Sequence, residues 1–75
     1  MADQNFRKAR EEAGIRAERA AAELGVSITT LYSWEKGLTS PDADKLVEMS
    51  KLYGSKVDYL LALDHVFFLE LRQDS

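Results

Sequence analysis

Gly14, Gly25, Gly37 and Gly54 are the only glycines in the chain, and each follows a short stretch of apolar residues at helical spacing. Glycine enters the left-handed conformation that ends a helix at no steric cost, so it is favoured just past a helix C-terminus. Marks at this interval divide the chain into segments too short for a long helix, and nothing reads as a long alternating strand. The pattern predicts up to five short helices and an all-α fold. At 75 residues the chain makes one domain. A domain of that size buries only roughly 60% of the surface it exposes when unfolded, so its core is small and gains from a partner.

The first helix is expected from Asp3 or Gln4 to Ala13, with Phe6, Ala9, Arg10 and Ala13 on one face. The second covers Ala17 to Leu24 and turns Ala20, Ala21 and Leu24 inward; alanines there let a neighbouring helix approach closely. The third starts after Ser27, whose hydroxyl can cap the free amides of the first turn. It runs to Glu35 or Lys36 and buries Leu31 and Trp34. Ser40-Pro41 opens the fourth, with serine as the cap and proline at the first helical position, where its missing amide goes unused. Asp42 and Asp44 suit the positive end of that helix, and Ala43, Leu46, Val47, Ser50 and Tyr53 form its inner stripe. Ser55 followed by Asp58 has the form of a capping box and would start a fifth helix carrying Val57, Leu60 and Leu61.

Beyond it, Val66, Phe67, Phe68, Leu69 and Leu71 are too apolar for a solvated tail. Their alternation with Glu70 and Arg72 suggests a strand, and a helix continuing from the fifth suits them as well. The expected organisation is one domain over residues 1–63 and a C-terminal extension over residues 64–75. That extension has two readings: it folds back on its own domain, or it pairs with the same segment of a second chain.

Several function classes find no support. Without cysteine there is neither a disulfide framework nor a thiolate metal site. His65 stands alone, whereas a zinc site takes three or four protein ligands. No nucleophile motif and no phosphate-cradling glycine loop is present, so an enzyme, a metal or a cofactor is not expected. The first five residues lack the basic-then-apolar pattern of a signal peptide. No apolar run approaches the ~20 residues that span a bilayer. A cytoplasmic protein that does not engage a membrane is the expectation. A net charge of −3 runs against nucleic acid as a partner. Its distribution softens the objection, because residues 1–41 carry six basic and six acidic groups and the deficit lies wholly in the C-terminal half. Arg7, Lys8, Glu11 and Glu12 read as a solvated helix face.

Residues 21–37, Ala-Ala-Glu-Leu-Gly-Val-Ser-Ile-Thr-Thr-Leu-Tyr-Ser-Trp-Glu-Lys-Gly, place two short helices across a tight turn. That is the form of a helix-turn-helix, which presents its second helix to the DNA major groove. Taken with Arg10, Gly14, Ala21, Leu24-Gly25-Val26-Ser27, Leu31, Trp34-Glu35-Lys36-Gly37, Pro41, Leu46, Tyr53-Gly54 and Leu60-Leu61, the sequence resembles the phage-repressor/Cro-type (XRE) helix-turn-helix domains over about residues 6–62.

The resemblance implies a five-helix, repressor-like domain that binds double-stranded DNA as a homodimer and regulates transcription as a repressor. It implies Ile28, Thr29, Tyr32 and Ser33 toward base edges, with Ile28 suited to a thymine methyl. Arg16, Ala17, Ser27, Lys36, Thr39 and Ser40 are then the remaining expected DNA contacts, several of them to the backbone, where contacts position without reading sequence. Arg10 and Glu35 resemble a structural pair linking the first and third helices. Val66, Phe67, Phe68, Leu69 and Leu71 become candidate dimerisation residues, since a palindrome needs two recognition helices one turn apart.

Two departures stand out. Members commonly carry serine or threonine and then glutamine where this chain has Arg16-Ala17, and often leucine where it has Ala20, so a looser core is expected there. The acidic balance, Ala17 and Ile28 also fit an alternative, an interaction module of antitoxin or anti-repressor type that docks a protein partner on a repressor-like scaffold.

Overall fold

The computed structural model describes residues 4–62, and in these the glycine punctuation sets the architecture. Five helices follow one another: α1 Phe6–Glu12, α2 Ala17–Leu24, α3 Ile28–Lys36, α4 Ala43–Tyr53 and α5 Val57–Leu60. All four glycines take positive φ, between 67° and 79°. At Gly25 this conformation reverses the chain between α2 and α3. A side chain there would meet no backbone, its nearest contact being Lys45 Nζ at 3.9 Å, so the requirement is conformational and not one of space.

Helices α2 and α3 pack on each other, α2 and α1 both lie against α4, α1 also meets α3, and α5 closes on α4. The core runs through all of them. Phe6 and Ala9 come from α1; Ala17, Ala20, Ala21 and Leu24 from α2; Leu31 and Trp34 from α3; Met49 and Tyr53 from α4; Leu60 from α5. Ala20, where a larger side chain is usual in the family resembled, is fully enclosed within this core.

Each end of this assembly is tied by a polar side chain. Asn5, just before α1, donates its backbone N–H to the Leu60 carbonyl (2.9 Å) and its Nδ2 to the Tyr59 carbonyl (2.8 Å). The Tyr59 hydroxyl in turn donates to Glu12 Oε1 at 3.0 Å. On the other side Lys45 Nζ donates to the Leu24 carbonyl at 2.6 Å, placing a cation at the negative end of α2.

Four expectations need correction. The first helix begins at Phe6, after Asn5, and Ala13 is exposed beyond its end. The fourth is capped by Asp42, whose carboxylate accepts from the Lys45 amide at 2.9 Å; it does not start at Ser40-Pro41, and Pro41 is buried just ahead of the cap. Aspartate is as good a cap as serine, and here it sits where the chain can turn into the helix. The inner face of α4 is rotated by about one position, so Met49 is fully buried while Ala43 and Val47 are exposed. The fifth helix has Lys56 at its N-cap with no side-chain cap, so Ser55 and Asp58 form no capping box. The Ser50 hydroxyl donates to the Ser55 carbonyl. The extension over residues 64–75, with His65 and the apolar residues Val66 to Leu71, lies outside the described residues.

Candidate nucleic-acid interface

The turn between α2 and α3 is built from backbone bonds that close the first helix and a side chain that opens the second. Val26 N donates to the Ala21 carbonyl at 3.0 Å and Gly25 N to the Ala22 carbonyl at 3.2 Å, the double closure of a helix ending on a left-handed glycine. Two residues later Ser27 Oγ accepts from the Thr30 amide at 3.1 Å and donates its own proton to Thr30 Oγ1 at 3.0 Å. The first of these bonds caps the helix and the second ties the Thr30 side chain to it. The far end of α3 is closed by Gly37, whose amide donates to the Trp34 carbonyl, and by Leu38, whose amide donates to that of Ser33.

With Leu31 and Trp34 buried on its inner side, α3 turns Thr29, Tyr32 and Lys36 outward, and Tyr32 keeps 40% of its surface exposed. Ser33 is half-buried beside them. Ile28 is half-buried as well and packs on the core, so only part of it faces out. Thr39 and Ser40 are exposed in the segment after α3, next to Leu38, which is 72% exposed. Arg16 is exposed ahead of α2 and makes no side-chain cap, which leaves the first-turn amides of α2 without a side-chain acceptor.

Two of the expected contact residues sit differently from the others. Ala17 is 5% exposed and belongs to the core, so its methyl packs and does not reach outward. Ser27 is exposed at the head of α3, with its hydroxyl bonded to the Thr30 amide and hydroxyl. Arg7, expected on a solvated helix face, is exposed there. It lines an open cleft of about 350 Å³ together with Arg10, Tyr32, Glu35 and Lys36. Arg7 and Arg10 are one turn apart on α1 and share a face.

Below the outward face an ion pair braces α1 against α3. Arg10 Nε donates to Glu35 Oε2 at 2.7 Å and its Nη2 to Oε1 at 3.2 Å, while Nη1 donates to the Ile15 carbonyl at 3.0 Å. The two side chains are 10% and 4% exposed. The bond to Glu35 raises the Arg10 pKa above its ordinary value against the opposing effect of burial. Tyr53 lies near this pair. Burial pushes its phenol up to about 12, the Glu35 carboxylate adding to the shift and Arg10 opposing it. Its hydroxyl has no hydrogen-bond partner among the described residues.

A capped helix presented across a glycine turn, its inner face anchored and its outer face polar, defines a helix-turn-helix domain. The chain belongs to the phage-repressor type of that family, whose helix-turn-helix profile matches residues 6–60. Among similar proteins, the HTH-type transcriptional regulator ImmR of Bacillus subtilis (strain 168) is 36% identical over 61 residues, 81% of this chain and 48% of its own length. The uncharacterized HTH-type transcriptional regulator YobD of the same organism is 32% identical over 60 residues, 80% of this chain and 54% of its own. The chain thus spans about half the length of both. The P22 c2 repressor, solved in complex with synthetic operator 9T in the presence of Tl+, superposes with a TM-score of 0.71 at 32% identity, covering 80% of this chain and 91% of that one. Among the described residues no helix is long and apolar enough to cross a membrane.

Proposed function

We propose that this chain is the DNA-binding part of a cytoplasmic transcriptional repressor that occupies a short inverted repeat as a homodimer. The observation that carries this reading is the outward face of α3, where Thr29, Tyr32 and Lys36 stand exposed on a helix held rigid by Leu31, Trp34 and the Ser27 cap. Thr29 and Ser33 hydrogen-bond to base edges, the exposed part of Ile28 meets a thymine methyl, and Tyr32 reaches a base or a phosphate. Arg16, Lys36, Thr39 and Ser40 hold the backbone on either side, and the open amide end of α2 adds a favourable partial charge for phosphate.

Residues 1–63 form the DNA-binding unit and residues 64–75 the dimerisation segment, with Val66, Phe67, Phe68, Leu69 and Leu71 pairing between chains. A dimer fixes two copies of α3 one duplex turn apart, and its presence on a promoter blocks polymerase sterically. The likeness to a repressor solved on operator DNA supports the partner chosen here.

The test is selection of bound fragments from the source genome, with affinity followed across a salt series. Enrichment of a palindromic site, with affinity falling as salt rises, is the expected outcome. Absence of enrichment above non-specific binding at low salt overturns the reading in favour of a module that docks a protein partner.

A further inference from the structure

The cleft between α1 and α3 contains more positive charge than the fold uses. Of its lining residues, Arg10 and Glu35 are spent on each other and form its closed side. Arg7, Tyr32 and Lys36 remain. Lys36 has no ion-pair partner among the described residues. Arg7 meets Glu11 Oε2 at 3.0 Å, but the two side chains are 70% and 55% exposed. An exposed pair of this kind, four residues apart on a helix, contributes little to stability, so Arg7 can leave Glu11 for a better acceptor at small cost. A planar guanidinium, an ammonium and a phenol hydroxyl around one opening suit a phosphodiester, which accepts a two-pronged bond from arginine and a point contact from lysine.

Position selects the source of that phosphate. Tyr32 and Lys36 belong to the outward face of α3, so a duplex entered by α3 passes this opening with one strand. A free anion would have no such alignment. Resting on the DNA-binding reading above, we propose that the cleft is a backbone-phosphate site on α1, outside the helix-turn-helix itself. Arg7 exchanges Glu11 for a phosphate oxygen there, and Tyr32 and Lys36 complete the contact. Glu11 then acts as a competitor that keeps Arg7 occupied in the free protein.

The experiment is fluorescence anisotropy of the full chain with a labelled mixed-sequence DNA duplex over a range of salt. Arg7→Gln is expected to reduce the slope of log affinity against log salt by about 0.9, the value for one lost phosphate contact. Lys8→Gln makes the same change in net charge one residue away, outside the cleft, and is expected to leave the slope near that of the wild type. Glu11→Gln is expected to tighten binding. Circular dichroism checks that the exposed substitutions keep the fold.

A wild-type slope for Arg7→Gln, or an equal loss for Lys8→Gln, overturns the site and leaves DNA binding standing. A wild-type chain with no salt-dependent binding to the duplex overturns the DNA-binding reading itself, and the site with it.

Discussion

Arg7 and Arg10 lie one turn apart on α1, and each guanidinium meets a carboxylate at hydrogen-bond distance, 3.0 Å to Glu11 and 2.7 Å to Glu35. The distances are nearly alike; the surroundings are not. Arg7 and Glu11 stand in solvent, where water competes for both groups and holding two long side chains costs entropy. Arg10 and Glu35 are almost wholly enclosed, so each is the other's chief solvation. A third bond, to the Ile15 carbonyl, fixes the guanidinium further. Burial decides which of two similar pairs holds the fold and which stays available for exchange.

The sharpest way to break that contrast is Glu35→Ala. It strands the Arg10 cation and is expected to cost about 3 kcal/mol in urea unfolding. Replacing both partners with apolar residues of similar volume, Arg10→Met with Glu35→Leu, is expected to recover most of that loss, because no buried charge is left alone. A double variant as unstable as the single one would mean that the pair contributes net attraction and not just mutual shielding.

Tyr53 offers a second probe of the same enclosure. Its folded pKa of about 12 lies above the ordinary value of 10, so the native state keeps its proton more tightly than the unfolded chain. The associated stability is fully present below pH 10 and is lost as pH rises toward 12. Thermal unfolding followed across that window is expected to show a wild-type loss on the order of 2 kcal/mol at pH 12 from this group. Tyr53→Phe is expected to lack that component. At neutral pH the same substitution removes a hydroxyl without a hydrogen-bond partner among the described residues, and stability is expected to hold or rise slightly.

The smallest effect belongs to the exposed pair. Arg7→Ala is expected to change unfolding free energy by less than about 0.5 kcal/mol. A loss approaching that of Glu35→Ala would show that exposure is not what separates the two arginines.

Much of this fold was legible in the sequence because its punctuation is local. A glycine in the left-handed region, or Ser27 three residues before an amide it can cap, acts within one turn of chain, and α2 and α3 fall where those residues put them. Misreadings arose where two local rules competed. Ser40-Pro41 and Asp42 each have the residue types of a helix start, and in the structure Asp42 caps the helix while Pro41 is buried ahead of it. The inward direction of α4 depends on where α1, α2 and α5 lie, which is why Met49 was missed and Val47 misplaced.

The candidate site divides in the same way. The resemblance pointed to Thr29, Tyr32 and Lys36, and they stand outward because Leu31 and Trp34 anchor the opposite face of α3. The enclosure of Ala17 was not legible, because a matching position in a family does not say whether the methyl that stands there is buried. The place of Arg7 depends on the distance between two helices, which no stretch of α1 encodes alone.

The clasp formed by Asn5 has a wider consequence. It joins residues 54 positions apart in the chain, so nearly the whole described polypeptide is drawn into a ring with α1 and α5 as its lock. Fraying at one side of the lock removes the acceptors or donors of the other. Amide protons of the outermost helices are therefore expected to exchange with solvent through one shared opening, while those of α2 and α3 wait for a deeper and rarer event.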